Sequence, residues 1–150
     1  GQYGGNEIEA FFTNQLDINT HAYFAEICHL QVSSHVLIRR CGDVLQFVNF
    51  NDRAWHAGES IFEGRPRCND FSIGIELEGT DTTTFTEAQY HGLVEVTTAI
   101  QRAYPAITDS RITGHAQIAP GRKTDPGPGF DWKHYRTTLK QANVFPQDTL

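Results

Sequence analysis

Residues 32–48, VSSHVLIRRCGDVLQFV, contain two runs rich in β-branched and aliphatic residues that meet at Cys41-Gly42-Asp43. Gly and Asp between two such runs are typical of a tight turn, so this stretch predicts a β-hairpin. In FSIGIELEG, residues 71–79, every second residue is apolar, which predicts a further strand with one face toward a core. The sequence therefore predicts a β-sheet built from these two segments.

Amphipathic segments on either side of the predicted strands indicate helices. N-capping residues followed three positions later by Glu or Gln predict a short helix near residues 7–14 and a long one that begins after Thr86 and ends before Pro105. A last helix is expected near residues 131–140. The order of elements predicts a sheet with helices packed against it, in one domain that covers residues 1–150.

Composition excludes several classes of protein. The formal net charge is −6, and the basic residues are scattered or in short pairs, so a nucleic-acid partner is not expected. No apolar run approaches the roughly 20 residues that a membrane span needs, so no membrane partner is expected either. The three cysteines, Cys28, Cys41 and Cys68, are too widely spaced to suggest a disulfide framework or a thiolate zinc site. A reducing compartment, the cytoplasm, is the expected location.

The loop GHAQIAPGRKTDPGPGF, residues 114–130, holds three of the six prolines and four of the thirteen glycines, and is predicted to be neither helix nor interior strand. It also carries His115, Lys123 and Asp125. An imidazole and a carboxylate are both zinc ligands, and an ammonium beside them could stabilise an oxyanion. The alternative is that Asp125 forms a turn before Pro126 and that His115 merely ends a strand. The ten-residue spacing does not decide between these interpretations.

Glu76 is the candidate general acid or base. It lies in an otherwise apolar strand on the face left open by Gly74, and burial raises a carboxyl pKa toward the range that proton transfer requires. The alternative is an exposed face on which Glu76 and Glu78 are both solvated.

Aromatic and basic residues in the loop of residues 49–70 form a second candidate region. An aromatic plane with guanidinium and amide groups suits sugar rings and carboxylates, although a solvated loop would have the same composition. The candidates are Trp55, His56, Arg67 and Asn69. His35, among apolar residues of the predicted hairpin, is expected to be a core histidine first and a site contact second.

Four stretches, in order along the chain, resemble motifs of the AmpD-type N-acetylmuramyl-L-alanine amidases, cytoplasmic zinc enzymes of bacterial peptidoglycan recycling. The resemblance extends over essentially the whole chain with almost no gaps. The stretches are VSSHVLIRR (32–40), AWHAG (54–58), RCNDFSIGIELEGTD (67–81) and GHAQIAPGRKTDPG (114–127).

This resemblance implies a fold and a role for each candidate residue. The fold would be a mixed central β-sheet flanked by helices, as in peptidoglycan-recognition proteins and phage amidase lysozymes. His115 and Asp125 would be two zinc ligands, and Lys123 would stabilise the oxyanion. The resemblance favours Glu76 over Glu78 as the catalytic glutamate. The substrate cleft would contain Trp55, His56, Arg67 and Asn69, with His35 near it.

The family's first zinc ligand is a histidine in an early strand, within a segment resembling V-V-H-N-I-S-L-P-P, and this sequence begins at GQYGG, which matches the residues after that segment. The expectation is a fragment that lacks the first strand and ligand; the alternative is a variant that binds zinc poorly. For the intact protein the resemblance implies hydrolysis, with zinc, of the amide between N-acetylmuramic acid, in its 1,6-anhydro form, and L-alanine of a small muropeptide. A monomer is expected. A non-catalytic muropeptide-binding domain is the alternative function.

Overall fold

The computed structural model describes residues 3–17, 19, 24, 26 and 31–144. Their strands are β1 (Val36–Ile38), β2 (Val44–Gln46), β3 (Ile61–Phe62), β4 (Arg65–Pro66) and β5 (Ile75–Leu77). Their α-helices are α1 (Glu7–Phe12), α2 (Glu87–Ala103), α3 (His115–Ile118) and α4 (Trp132–Val144). Two short 3-10 helices span Cys68–Asp70 and Asp109–Arg111. None of the described helices is long and apolar enough to cross a membrane.

The main sheet is mixed, as predicted, and helices flank it. Strand β1 lies in its centre, antiparallel to β2 and parallel to β5, while β3 and β4 form a separate small hairpin. The predicted hairpin at Cys41-Gly42-Asp43 is confirmed, with the Arg39 amide donating to the Asp43 carbonyl at 2.9 Å. Gly42 adopts φ +95°, a conformation that a residue with a Cβ rarely tolerates.

The strand predicted over residues 71–79 is confirmed only for residues 75–77. Its first part follows the 3-10 helix Cys68–Asp70, and the Ser72 hydroxyl donates to the Cys68 carbonyl at 2.6 Å. This local hydrogen bond holds the backbone in a turn, so these residues do not pair with a neighbouring strand. Alternation of apolar residues alone therefore predicted too long a strand. Glu76 lies opposite Leu37 in the parallel register.

Helix α2 begins where its capping pattern predicts. The hydroxyl of Thr86 accepts from the Gln89 amide, and the Gln89 side chain accepts from the Thr86 amide, each at 3.1 Å. The predicted last helix is α4, which packs on α2 through a 2.8 Å hydrogen bond between the hydroxyls of Thr97 and Tyr135. The buried apolar core joins β1, α2 and α4 and consists of Val36, Ile38, Tyr90, Leu93, Val94, Phe130, Tyr135 and Leu139.

The predicted helix near residues 7–14 is α1, but its expected cap does not form. The Asn6 side chain makes no capping bond and accepts instead from the Arg39 guanidinium at 3.1 Å. Glu9, the other residue of the capping pattern, forms an ion pair with the same guanidinium. Both side chains therefore fix α1 against the end of β1, a long-range contact that local sequence cannot reveal.

Candidate active site

The loop of residues 114–130 closes on itself and brings its two candidate ligands together. The Ala116 amide donates to the Asp125 carbonyl at 2.9 Å, so the two ends of the ten-residue span meet. The two side chains therefore lie close together, with His115 Nδ1 at 3.2 Å from Asp125 Oδ2. The ten-residue spacing in the sequence does not decide whether these two side chains meet. The backbone hydrogen bond is the physical reason that they do.

The prediction that this loop contains no helix is wrong for its first turn. Residues His115–Ile118 form α3, and the Gln117 side chain accepts from the Gly114 amide at 3.0 Å, which stabilises the start of the turn. The first proline, Pro120, lies beyond this turn, so the helix ends before proline can disrupt it. The helical turn fixes the direction of the His115 side chain.

Asp81 anchors the second half of the loop. The Gly129 amide donates to the Asp81 carbonyl at 3.0 Å, and the Thr124 hydroxyl bonds the Asp81 carboxylate. A Cβ on Gly127 would lie 2.4 Å from the Asp81 carbonyl oxygen, so only glycine permits this close approach. Sequence inspection missed Asp81, because nothing near it in the chain marks it as a partner of the loop.

One cavity of about 620 Å³ holds the candidate chemical groups. Side chains of β5, the loop at residues 54–60 and the loop at residues 114–130 line it, including His56, Glu76, His115 and Asp125. Lys123 does not line it, but its charge opposes the rise in the pKa of Glu76 and, after His115, contributes to the lowered pKa of Asp125. The sequence-predicted catalytic and metal-binding residues therefore converge.

Glu76 has the most perturbed carboxyl group in the cavity. The side chain is accessible to water in the cavity, but the surrounding protein removes part of its hydration. This desolvation, with the Asp125 charge, raises its pKa to about 7. His115 and Lys123 act in the opposite direction. A carboxyl group with a pKa near neutrality can both accept and release a proton at physiological pH.

Glu78, the residue that follows β5, does not line the cavity and has a structural role. It is buried, and its two carboxylate oxygens accept from the backbone amides of Gly4 and Arg40 at 2.6 and 2.9 Å. Within the described part of the chain, the Glu76 carboxylate has no hydrogen-bond partner and remains available for chemistry. This difference is a physical reason for preferring Glu76, which strand periodicity could not supply.

His115 and Asp125 fit two positions of a zinc site. His115 Nε2 lies 3.0 Å from the Ala57 carbonyl, so an Nε2–H tautomer would donate there and leave a lone pair on Nδ1, facing Asp125. Two acceptor atoms 3.2 Å apart need a proton or a cation between them, and imidazole with carboxylate suits zinc. Among residues 3–17, 19, 24, 26 and 31–144, no cluster of three His, Cys, Asp or Glu could hold a metal ion. The described chain thus offers two ligands.

The predicted substrate residues of the 49–70 loop have different environments. The Trp55 side chain is 54% exposed, and the Arg53 guanidinium lies 3.5 Å from the centre of its ring. Arg67 is also exposed and pairs with Asp70 at 3.1 Å. Asn69, by contrast, is buried, and its Oδ1 accepts from the amides of His56 and Ala57. Asn69 therefore supports the loop that carries Trp55 and His56.

His35 and His56 both lie against the backbone of Gly74, and their rings meet edge to face. His35 is fully buried; its Nδ1 accepts from the Gly74 amide, and its Nε2 faces the Asp52 carbonyl, both at 3.0 Å. The His56 ring lies 5.6 Å from the His35 ring, and its Nε2 is 3.0 Å from the Ser72 hydroxyl. A Cβ on Gly74 would meet the His56 ring at 2.4 Å, so glycine is required there. His35 is thus the core histidine that the sequence predicted.

His56 makes the stability of the fold depend on pH. Burial, followed by the charges of His35 and His115, lowers its pKa from 6.5 to about 4. Between these values the unfolded chain binds a proton that the folded chain does not, so the free energy of unfolding falls as pH decreases from 6.5 toward 4. For His56→Gln, we expect the stability difference from the native protein to change by about 2 kcal/mol between pH 7.5 and pH 5.

Urea unfolding at a series of pH values measures this effect. His91→Gln is the matched control, because His91 lies exposed on α2, with its Nδ1 3.6 Å from a carboxylate oxygen of Glu95. Parallel pH profiles for His56→Gln and the native protein would show that His56 is not the group responsible.

Comparison with known proteins agrees with this fold. The sequence profile of the N-acetylmuramoyl-L-alanine amidases matches residues 7–128. The chain belongs to this family of amidases. The 1,6-anhydro-N-acetylmuramyl-L-alanine amidase AmpD of Citrobacter freundii is 60% identical over 143 residues, which are 95% of this chain and 76% of the relative.

Solved structures agree with the sequence comparison. The crystal structure of a selenomethionine derivative of AmpD matches with a TM-score of 0.88 and 58% identity, over 91% of this chain and 76% of that one. A complex of the Escherichia coli amidase AmiD with the substrate anhydro-N-acetylmuramic acid-L-Ala-D-γ-Glu-L-Lys matches with a TM-score of 0.68 and 31% identity. It covers 86% of this chain and 59% of AmiD.

Proposed function

We propose that this protein hydrolyses the amide bond between 1,6-anhydro-N-acetylmuramic acid and the L-alanine of a stem peptide, with a zinc ion held by His115 and Asp125. The convergence of Glu76, His115 and Asp125 in one cavity is the observation that carries the proposal. The substrates in the names of AmpD and of the AmiD complex support the choice of muropeptide. The third zinc ligand would come from outside the described residues.

Zinc, when bound, supplies Lewis-acid chemistry that polarises a carbonyl group and makes water more acidic. Glu76 would take a proton from the attacking water, whose oxygen adds to the lactyl carbonyl carbon. Lys123 would stabilise the negative charge that forms on the carbonyl oxygen. Glu76 would then give its proton to the alanine nitrogen as the carbon–nitrogen bond breaks. A pKa of about 7 suits both proton transfers.

The exposed residues near the cavity would bind the rest of the substrate. The Trp55 ring offers an apolar plane for the sugar, and the Arg67 guanidinium suits a peptide carboxylate. Arg53 stacks on one face of Trp55, so the sugar would use the other face or displace the guanidinium. His56, held by Asn69 and Ser72, would line the wall between sugar and metal sites, with His35 beneath it.

The cell-biological part of the proposal is peptidoglycan recycling in the bacterial cytoplasm by a monomer. Cys41 and Cys68 are both free thiols, which supports a reducing compartment. The muropeptide class of the substrate supports recycling, since small soluble muropeptides are products of cell-wall turnover.

Incubation with anhydro-N-acetylmuramyl tripeptide, followed by mass spectrometry, tests the proposal. We expect release of the free peptide, loss of this activity in excess chelator, and recovery when zinc is restored. Elemental analysis should find about one zinc per chain in the active protein. Tight muropeptide binding without cleavage, in protein with zinc added, would contradict hydrolysis and favour the alternative of a non-catalytic binding domain.

A further inference from the structure

Two loops far apart in the sequence meet at His115. The loop at residues 54–60 carries Trp55 and His56, and the loop at residues 114–125 carries the candidate zinc ligands. Among the hydrogen bonds of the described residues, all those that join these loops come from the side chains of His115 and Arg122. Arg122 supplies most of them.

The Arg122 guanidinium bridges two carbonyl groups of the 54–60 loop. Its Nη2 donates to the Ala57 carbonyl at 2.6 Å and to the Glu59 carbonyl at 2.7 Å, and its Nε donates to Glu59 at 3.2 Å. Gly58, between them, has φ +57°, and a Cβ there would lie 3.1 Å from the guanidinium. The planar group therefore packs directly against the turn.

The Ala57 carbonyl is also the hydrogen-bond partner of His115. His115 Nε2 lies 3.0 Å from this oxygen but 3.4 Å from Arg122 Nη2. A carbonyl oxygen has two lone pairs and can accept from both groups, while the guanidinium can only donate. The shorter distance favours an Nε2–H donor on His115, and this tautomer leaves Nδ1 free to bind a metal ion.

We infer that Arg122 is a positioning residue that fixes the Ala57 carbonyl and thereby orients the His115 ring for metal binding. The inference rests on the proposed zinc site. Removal of a group that hydrogen-bonds the second ring nitrogen of a metal-ligating histidine typically lowers metal affinity 10- to 100-fold. Arg122 acts one step further out, through the carbonyl that His115 contacts.

The sign of the effect separates this role from a purely electrostatic one. A positive charge close to a cation site weakens cation binding, so loss of the charge alone would make zinc bind more tightly. Loss of the hydrogen bonds that fix the Ala57 carbonyl would make zinc bind more weakly. The two explanations for an effect of Arg122→Ala therefore predict opposite changes.

Zinc titration of the full-length protein against a fluorescent chelator measures the change. For Arg122→Ala we expect a roughly 10-fold higher zinc Kd than in the native protein. Arg136→Ala is the matched control, because Arg136 is another exposed arginine that bridges two backbone carbonyls, those of Asp109 and Ile112, at 3.0 Å each. We expect its zinc Kd to be unchanged.

Two further measurements keep the outcomes distinct. In chelator, we expect similar melting temperatures for the two variants, so a lower zinc affinity cannot be attributed to general instability. In the zinc-loaded protein, we expect the Nε2 proton of His115 to exchange with solvent faster in Arg122→Ala, as measured by NMR. Native-like or tighter zinc binding by Arg122→Ala would overturn the inference. Failure of the native protein to bind zinc would overturn the proposed zinc site itself, and the inference with it.

Discussion

Glu76→Gln is expected to lower kcat for muropeptide hydrolysis by about 10²- to 10⁴-fold, the usual contribution of a general acid–base residue. Glutamine has nearly the same shape as glutamate but cannot accept the proton of water. The variant should still bind zinc, because His115 and Asp125 are unchanged. Its melting temperature above pH 7 should equal or exceed that of the native protein, since partial desolvation and the Asp125 charge both disfavour the charged form of Glu76.

Glu78→Gln provides a contrasting variant two residues further along the chain. Its loss of charge weakens two hydrogen bonds to the amides of Gly4 and Arg40, so we expect lower stability with kcat retained in the folded fraction. Steady-state kinetics and thermal melts on both variants give the complete comparison. Normal kcat in Glu76→Gln would remove Glu76 from the mechanism, and a kcat loss in Glu78→Gln as large as that in Glu76→Gln would show that the two roles are not separate.

His115→Ala is expected to have the second largest effect, raising the zinc Kd at least about 100-fold, because each protein ligand contributes a direct bond to the metal. Asp125→Ala should act similarly. Isothermal titration with zinc measures both variants, with His91→Ala as the control for loss of an exposed histidine. Hydrolysis by His115→Ala should recover only at high added zinc. Unchanged zinc affinity in both ligand variants would place the metal elsewhere.

Local chemistry was sufficient to predict the elements whose signals are local. The Gly42 turn between β-rich runs gave the hairpin, and the Thr86 capping box gave the start of α2. Prediction failed where a side chain has a competing hydrogen-bond partner. Asn6 binds Arg39 and does not cap α1, and Ser72 bonds a nearby carbonyl, which shortens the strand expected before β5.

The candidate site likewise contains residues that the sequence identified and residues that it did not. Residue types and the family resemblance identified His115, Asp125, Glu76 and Lys123, and the structure places their charges close enough to interact. The supporting contacts of Asp81, Glu78 and Arg122 had no signal in the sequence, because each connects segments that only the fold brings together.

The bonds that hold the 114–130 loop also bear on how the protein folds. They connect residues that are 43 positions apart at Asp81 and Thr124, and 65 apart at Ala57 and Arg122. Contacts between such distant residues form slowly, because closing a long stretch of chain costs entropy before any contact compensates for it. His115 and Asp125 should thus reach their final geometry only when the tertiary fold has formed, and not from the loop sequence alone. Zinc binding during refolding would then follow the formation of the native state.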